Sequence, residues 1–391
     1  MRSGRITPYA ERWSAPRRLL CLAVKATRSE AERRELAALH GGIGPARAAE
    51  FATANLAESI VAHGLADAGI AGAPWDGWHA GWAARIGRMM TLLDDVAARA
   101  ARRAIPVVAL KNGAIARAVH RCAACVPMGD LDLLVRRRDF AAMHDLLTEG
   151  GFTVARGGVR AADLAAGLSK GGVDYQRTID GEAYALDLQW RPVSGRWLRA
   201  DQEPGADELI ARSLPIAGSA ARMLAPTDNL IQVALHTAKH SYCRSPGFRL
   251  HLDVDRLVHS IPIDWHDVVD VTRRLGVTTP VFLSLSIPHG LFGTPVPDWV
   301  LAALAPPLAR RRLLYRWLAS VSVFEPGRAK FTRLGQLAFH AALGDGAGGL
   351  WRTAFPSRAE MRERHRVGEG TPALVLGYGR RLAEVVLRYQ A

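Results

Sequence analysis

Asp130 and Asp132 stand two residues apart in the segment Gly129-Asp130-Leu131-Asp132-Leu133-Leu134-Val135. On a strand, residues two apart project to the same side. The spacing therefore predicts two carboxylates on one face, with Leu131 and Leu133 on the other. Neighbouring carboxylates repel each other unless a cation lies between them. Mg²⁺ suits such a pair, because it takes oxygen ligands and keeps its remaining positions for water and phosphate oxygens. A third carboxylate on an adjacent strand would complete a two-metal site. One ion would help deprotonate an attacking hydroxyl, and the other would hold a triphosphate and its leaving pyrophosphate. Asp187, flanked by Leu186 and Leu188, is the best third candidate. Asp-x-Asp pairs are also common on solvated strand edges, so the surroundings must decide. Upstream, Lys111-Asn112-Gly113 follows an apolar run and precedes a helical stretch. A turn of that kind offers backbone N–H groups, a helix N-terminus and an ammonium to an anionic phosphate.

The elements that position these residues follow from periodicity. Ile105-Pro106-Val107-Val108-Ala109-Leu110 reads as a buried strand, Leu131 to Val135 as a second and Tyr184 to Trp190 as a third. A helix is expected from Ala114 to Arg121, and another after Asp139 through Leu147. Residues 1–27 form a lead-in, expected to be partly ordered. Residues 28–104 form an N-terminal helical region, with helices at Pro45–Leu65 and Trp78–Arg103. The α/β core spans 105–222. A C-terminal helical domain spans 223–391, with helices expected at Thr227–Tyr242 and Val300–Leu318 and one opened by Asp264 and stopped at Gly276.

Composition sets outer limits. With 391 residues, about half of them hydrophobic and 23% charged, the chain is an ordinary globular one, long enough for two or three cores. No apolar run of about 18 residues lacks charges, so no membrane partner is expected. The basic start is followed by Pro8, Glu11, Trp13 and Pro16 and not by an apolar signal core, which points to the cytoplasm. The net charge of +14 favours an anionic ligand: a nucleotide, a nucleic acid or a phosphorylated substrate. The Arg residues are scattered along helices, so a nucleic acid is possible but not favoured over a solvated surface. Four cysteines make no disulfide framework. Cys122 and Cys125 form one Cys-x-x-Cys pair, and a zinc site would need two more ligands. His120, His236 and His240 qualify only where the fold brings them close. Without them the pair reads as small, half-buried thiols.

Four blocks carry a resemblance. Ala109-Leu110-Lys111-Asn112-Gly113-Ala114 resembles the Leu-Lys-Gly turn of an uncharacterised nucleotidyltransferase family in the DNA polymerase β-like superfamily. Pro127 to Val135 resembles its Gly-Asp-hydrophobic-Asp-hydrophobic strand. Leu186 to Arg191 resembles its Asp-Leu-His-Trp strand, which bears the third carboxylate. Leu235-His236-Thr237-Ala238-Lys239-His240 resembles a helix of its C-terminal region. The departures are Asn112 inside the Lys-Gly pair, Ala114 in place of Ser, and Gln189 in place of His.

The resemblance implies an α+β (mixed α/β) fold, with a small sheet and flanking helices between two helical regions. It implies a Mg²⁺-dependent enzyme with a two-metal site at Asp130, Asp132 and Asp187. Nucleotide contacts would come from Lys111, Gly113, Gly129, His236 and Lys239. A nucleoside monophosphate, with AMP from ATP as the expected donor, would pass to an unknown acceptor (small molecule, peptide or protein) with release of pyrophosphate. The departures leave an alternative open: a catalytically weak nucleotide- or peptide-binding accessory protein of a biosynthetic or toxin–antitoxin system.

Overall fold

The computed structural model describes residues 9–120, 122–155, 171–193, 200–345 and 370–388, together with 198, 358, 361 and 362. Residues 1–8 of the expected lead-in lie outside them. The N-terminal helices are α1 (Ala15–Val24), α2 (Glu30–Ile43), α3 (Pro45–Ala54), α4 (Glu58–Asp67) and α5 (Trp75–Ala101). The central part runs β1 (Val108–Ala109), α6 (Lys111–Ala114), β2 (Asp130–Leu134), α7 (Phe140–Glu149), β3 (Thr153–Val154), β4 (Gly172–Ile179), β5 (Glu182–Gln189), α8 (Ala206–Arg212), β6 (Leu214–Pro215) and β7 (Arg222–Met223). Helices α9 (Pro226–Lys239), α10 (Arg249–Ser260), α11 (Trp265–Leu275), α12 (Thr278–Phe292), α13 (Asp298–Leu304), α14 (Leu308–Val321), α15 (Arg333–Leu343) and α16 (Thr371–Arg388) follow. The fold is the expected mixture of a sheet and flanking helices. No described helix is long and apolar enough to cross a membrane.

The strands form one sheet in the order β3-β4-β5-β2-β1-β7-β6. β2 runs parallel to β5 and antiparallel to β1, and β4 and β5 form an antiparallel hairpin. The hairpin turns at Asp180-Gly181, both with positive φ (51° and 80°), the conformation that an Asp-Gly pair adopts in tight hairpins. Alternation then divides the faces. Leu131, Leu133, Val173, Tyr175, Tyr184, Leu186 and Leu188 are buried in the main core with the helices. Burying each such leucine contributes about 1.5–3 kcal/mol, which offsets the cost of gathering carboxylates on the other face. Farther along that other face, Leu134 meets Val108, Leu110, Leu209, Ile210 and Leu224 in a small second cluster.

Two expected helices are each a pair. Pro45–Leu65 breaks between α3 and α4, where Leu56 takes φ 55°. Asn55 donates to Phe51 O at 2.8 Å and accepts from the Glu325 N–H at 2.7 Å. A partner 270 positions away thus holds the break open, and no local pattern reveals it. Val300–Leu318 breaks at Pro306-Pro307, because a proline ring removes a helical N–H and clashes with the preceding turn; Pro307 becomes the N-cap of α14. The helix expected from Ala114 to Arg121 is instead α6 followed by a π-turn over Ile115–Val119. The start and stop signals of α11 hold: the Asp264 carboxylate accepts from the His266 and Asp267 N–H groups, and Gly276 closes it in the left-handed region.

Candidate active site

The carboxylates assemble in a row across three strands. In the β2–β5 register Asp132 lies opposite Asp187 and Asp130 opposite Ala185. In the β4–β5 register Asp174 lies opposite Asp187 from the other side. Asp174, Asp187 and Asp132 therefore share one row on one face, with Asp130 two residues nearer the mouth of β2. Sequence reasoning missed Asp174. Its signal was present in the alternation Val173-Asp174-Tyr175-Gln176 leading to the Asp180-Gly181 turn, which predicts that Asp174 folds back against Asp187.

Two side chains hold this charge together. Lys111 Nζ donates to Asp132 Oδ1 at 2.5 Å, and both side chains are about nine-tenths buried. Lys111 makes this contact from a backbone φ of 50°, a region that costs a non-glycine residue about 1–2 kcal/mol. Gln189 Nε2 donates to Asp132 Oδ1 and to Asp187 Oδ2, both at 2.7 Å. Its amide thus bridges the central pair, while its Oε1 is buried without a hydrogen-bond partner. Beside them β4 carries glycine: a Cβ on Gly172 would lie 3.1 Å from Asp187 Oδ1 and 3.2 Å from Leu188 O.

The electrostatics show an excess of negative charge. Asp132's charge, then burial, push the Asp130 carboxyl up to about 6. Burial, then Asp132, push Asp187 up to about 8. Burial works against the Lys111 ammonium, but Asp132 and Asp187 outweigh it and hold its pKa above the usual lysine value. Helix α9 brings two further groups within electrostatic reach. Burial, then Lys111, lower the Lys239 pKa, and Asp187, Asp132 and Asp174 oppose that shift. His236 is held well below the ordinary histidine range by burial and then Lys111, so it is neutral at pH 7, and its Nδ1 is buried without a partner.

The other predicted residues take plainer positions. The Gly113 N–H donates to Leu110 O at 3.1 Å. Gly129 is exposed at the mouth of β2, with open space where a side chain would stand. Asn112 points away from the carboxylates. With its amide oriented to satisfy both groups, it donates to the two oxygens of Asp253 at 2.8 and 3.1 Å. Asp253 also accepts from Arg256 at 3.2 Å. The inserted residue in the Lys-Gly turn therefore fastens the turn to α10.

The sheet thus presents acidic strands, with a lysine turn and α9 beside them. A family model described as uncharacterised nucleotidyltransferase matches residues 45–293. The chain belongs to this nucleotidyltransferase family. The match takes in α3 to α12, and with them every residue of the acidic row and both flanking lysines. No curated protein and no solved structure matches the chain.

The donor chemistry suits the divalent cation that such transfer chemistry implies, although among the described residues the carboxylate oxygens are not drawn together as a formed metal site. The donor set is made of carboxylate oxygens, the ligands Mg²⁺ prefers. Two of its carboxyls have pKa values raised above the ordinary range by like charge and burial, the imbalance that a cation relieves. Asp130, Asp132 and Asp187 could hold it, with Asp174 near enough to contribute charge.

Proposed function

We propose that the protein transfers a nucleoside monophosphate, AMP from ATP in the first instance, to an acceptor nucleophile, with release of pyrophosphate. The observation that carries this reading is the row Asp132–Asp187 with Asp130 at the strand mouth, inside the family match. Asp130, Asp132 and Asp187 would hold Mg²⁺, which when bound would supply Lewis acidity toward the triphosphate and charge for the departing pyrophosphate.

The chain's own groups do the rest. Ionised beside a bound cation, Asp187 would favour the deprotonated form of the acceptor hydroxyl. Gln189 keeps Asp132 and Asp187 at a fixed spacing. Lys111 covers Asp132, and its flexible stem would let it reach phosphate oxygens beside bound cations. Because the Gly113 N–H already serves Leu110, the turn's phosphate contact is assigned to Lys111. Lys239 supplies positive charge within electrostatic reach of the row, and neutral His236 offers a ring N–H or acceptor. Open space at Gly129 admits the nucleotide.

Purified protein with labelled nucleoside triphosphates, Mg²⁺ and a panel of hydroxyl, peptide and protein acceptors tests the proposal. Pyrophosphate release coupled to label transfer is expected, and Asp130→Ala and Asp132→Ala should each lower it by several orders of magnitude. Full activity in those variants overturns it. Mg²⁺-dependent nucleotide binding without turnover across the panel supports the accessory-protein alternative instead.

A further inference from the structure

The thiols read from sequence as a bare Cys-x-x-Cys pair have histidine partners. Cys122 and Cys125 lie around a short 3-10 turn (Ala123–Cys125), five residues ahead of Asp130. Against that turn pack α4, which carries His63, and α5, which carries His79. One ligand atom from each of the four residues falls within 4.8 Å of all the others. Cys125 Sγ lies 3.2 Å from Cys122 Sγ, and His79 Nε2 lies 3.3 Å from Cys122 Sγ. The His63 and His79 rings stack with centroids 5.8 Å apart. All four cysteines of the chain are free thiols. His120, the nearest histidine in sequence, is not a member: its Nδ1 faces the backbone of Cys122 at 3.1 Å. His236 and His240 stand beside Lys111.

We infer that His63, His79, Cys122 and Cys125 form a tetrahedral zinc site, separate from the carboxylate row. Zinc takes two thiolates at about 2.3 Å and two imidazoles at about 2.0–2.1 Å, which sets tetrahedral edges of roughly 3.4–3.8 Å. The two short contacts, 3.2 and 3.3 Å, lie about half an ångström or less inside those edges, and all four ligand atoms lie within 4.8 Å of one another, so small side-chain adjustments seat the ion. The donor set selects against Mg²⁺, which avoids sulfur, and matches the borderline-soft ions. Four protein ligands leave no open position, so the site is structural. Binding deprotonates both thiols and releases their protons. Cys125 is buried and His63 exposed, so the ion has a path from solvent.

The placement gives the ion a task. It joins α4 and α5 to the loop that feeds β2. The other side of that loop is held by α10, where Arg256 donates to Cys125 O and Arg249 to Pro127 O. The loop ahead of Asp130 is thus clamped between the two helical regions.

Full-length protein purified under reducing conditions without chelator tests this. One zinc per chain is expected by elemental analysis. X-ray absorption should show two sulfur and two nitrogen neighbours, and cobalt replacement should give the intense visible bands of tetrahedral thiolate coordination. The paired change Cys122→Ser and Cys125→Ser, and separately His79→Ala, should abolish that zinc. Asp130→Asn with Asp132→Asn should retain it. Because the absorption and cobalt measurements use the unaltered chain, the test holds even where a cysteine variant fails to fold. Three results each overturn the inference: reduced wild-type protein that takes up neither metal, a metal bound only by oxygen, or zinc that follows the aspartate variants and not the cysteine ones. A Cys122–Cys125 disulfide whose reduction restores no zinc binding does so as well.

Discussion

Asp187→Asn isolates the electrostatic load on the carboxylate row. In the folded chain burial, then Asp132, raise the Asp187 carboxyl from 3.8 to about 8. The unfolded chain gives up that proton near pH 4. Between about pH 4 and pH 8 the folded state therefore holds a proton the unfolded state has lost. A folded pKa that is raised contributes stability fully below the unfolded value, and that contribution is lost as pH rises through the folded one. At about 1.4 kcal/mol per tenfold change in acidity constant, the whole span sets a ceiling of about 6 kcal/mol. Asp187 is partly exposed and the Lys111 ammonium opposes its shift, so solvent screening and that neighbouring charge leave about 1–2 kcal/mol. Asparagine keeps an oxygen for the Gln189 amide and carries no charge. In chelator at pH 8 the variant should therefore be more stable than its parent by that amount, about 2–4 °C in Tm at roughly 2 °C per kcal/mol. The gap should close at pH 5, where Asp187 is protonated, and at pH 8 when Mg²⁺ saturates the parent. Thermal unfolding followed by circular dichroism, across pH and with or without Mg²⁺, reads both effects. A gap indifferent to pH and Mg²⁺, or a variant less stable than its parent at pH 8, refutes the reasoning.

Three more outcomes follow from the same geometry. Lys111→Met removes the buried partner of Asp132 and should cost about 3–5 kcal/mol without metal, part of which Mg²⁺ recovers; urea unfolding measures this, and a loss that ignores Mg²⁺ counts against the site. Gly172→Ala places a methyl 3.1 Å from Asp187 Oδ1; calorimetry should show weakened Mg²⁺ binding, with about 1–3 kcal/mol of lost stability from overpacking, and unchanged Mg²⁺ affinity would mean that this oxygen takes no part. Asn112→Ala strips two hydrogen bonds from buried Asp253 and should destabilise the chain by about 1–3 kcal/mol; a neutral result in chemical denaturation would show that the turn is not fastened to α10 in this way.

Local rules carried the chemistry a long way. The two-residue period of a strand determined that Asp130 and Asp132 share a face, because alternation depends on nothing beyond the strand itself. The run around Asp187 reads as a strand for the same reason, and Asp264 and Gly276 mark the ends of α11 through capping groups that act within one turn. The Asp180-Gly181 pair is also a local hairpin signal, one that sequence reasoning passed over, and with it Asp174. The tertiary structure alone decided the rest. Parallel pairing of β2 with β5 across a separation of 55 residues aligned Asp132 with Asp187. The same packing turned Lys111 onto Asp132, gave Gln189 two carboxylates to bridge and tied Asn112 to Asp253. It also brought His63 and His79 to Cys122 and Cys125, which sit in different elements with no spacing pattern to join them. Periodicity states which way a side chain points from its own helix or strand. Which side chain it meets is determined by how those elements stack, and hydrophobic burial over the whole core settles that. The shared face of the Asp-x-Asp strand was thus legible from the sequence, and its lysine partner, its glutamine bridge and its alignment with Asp174 and Asp187 belong to the fold.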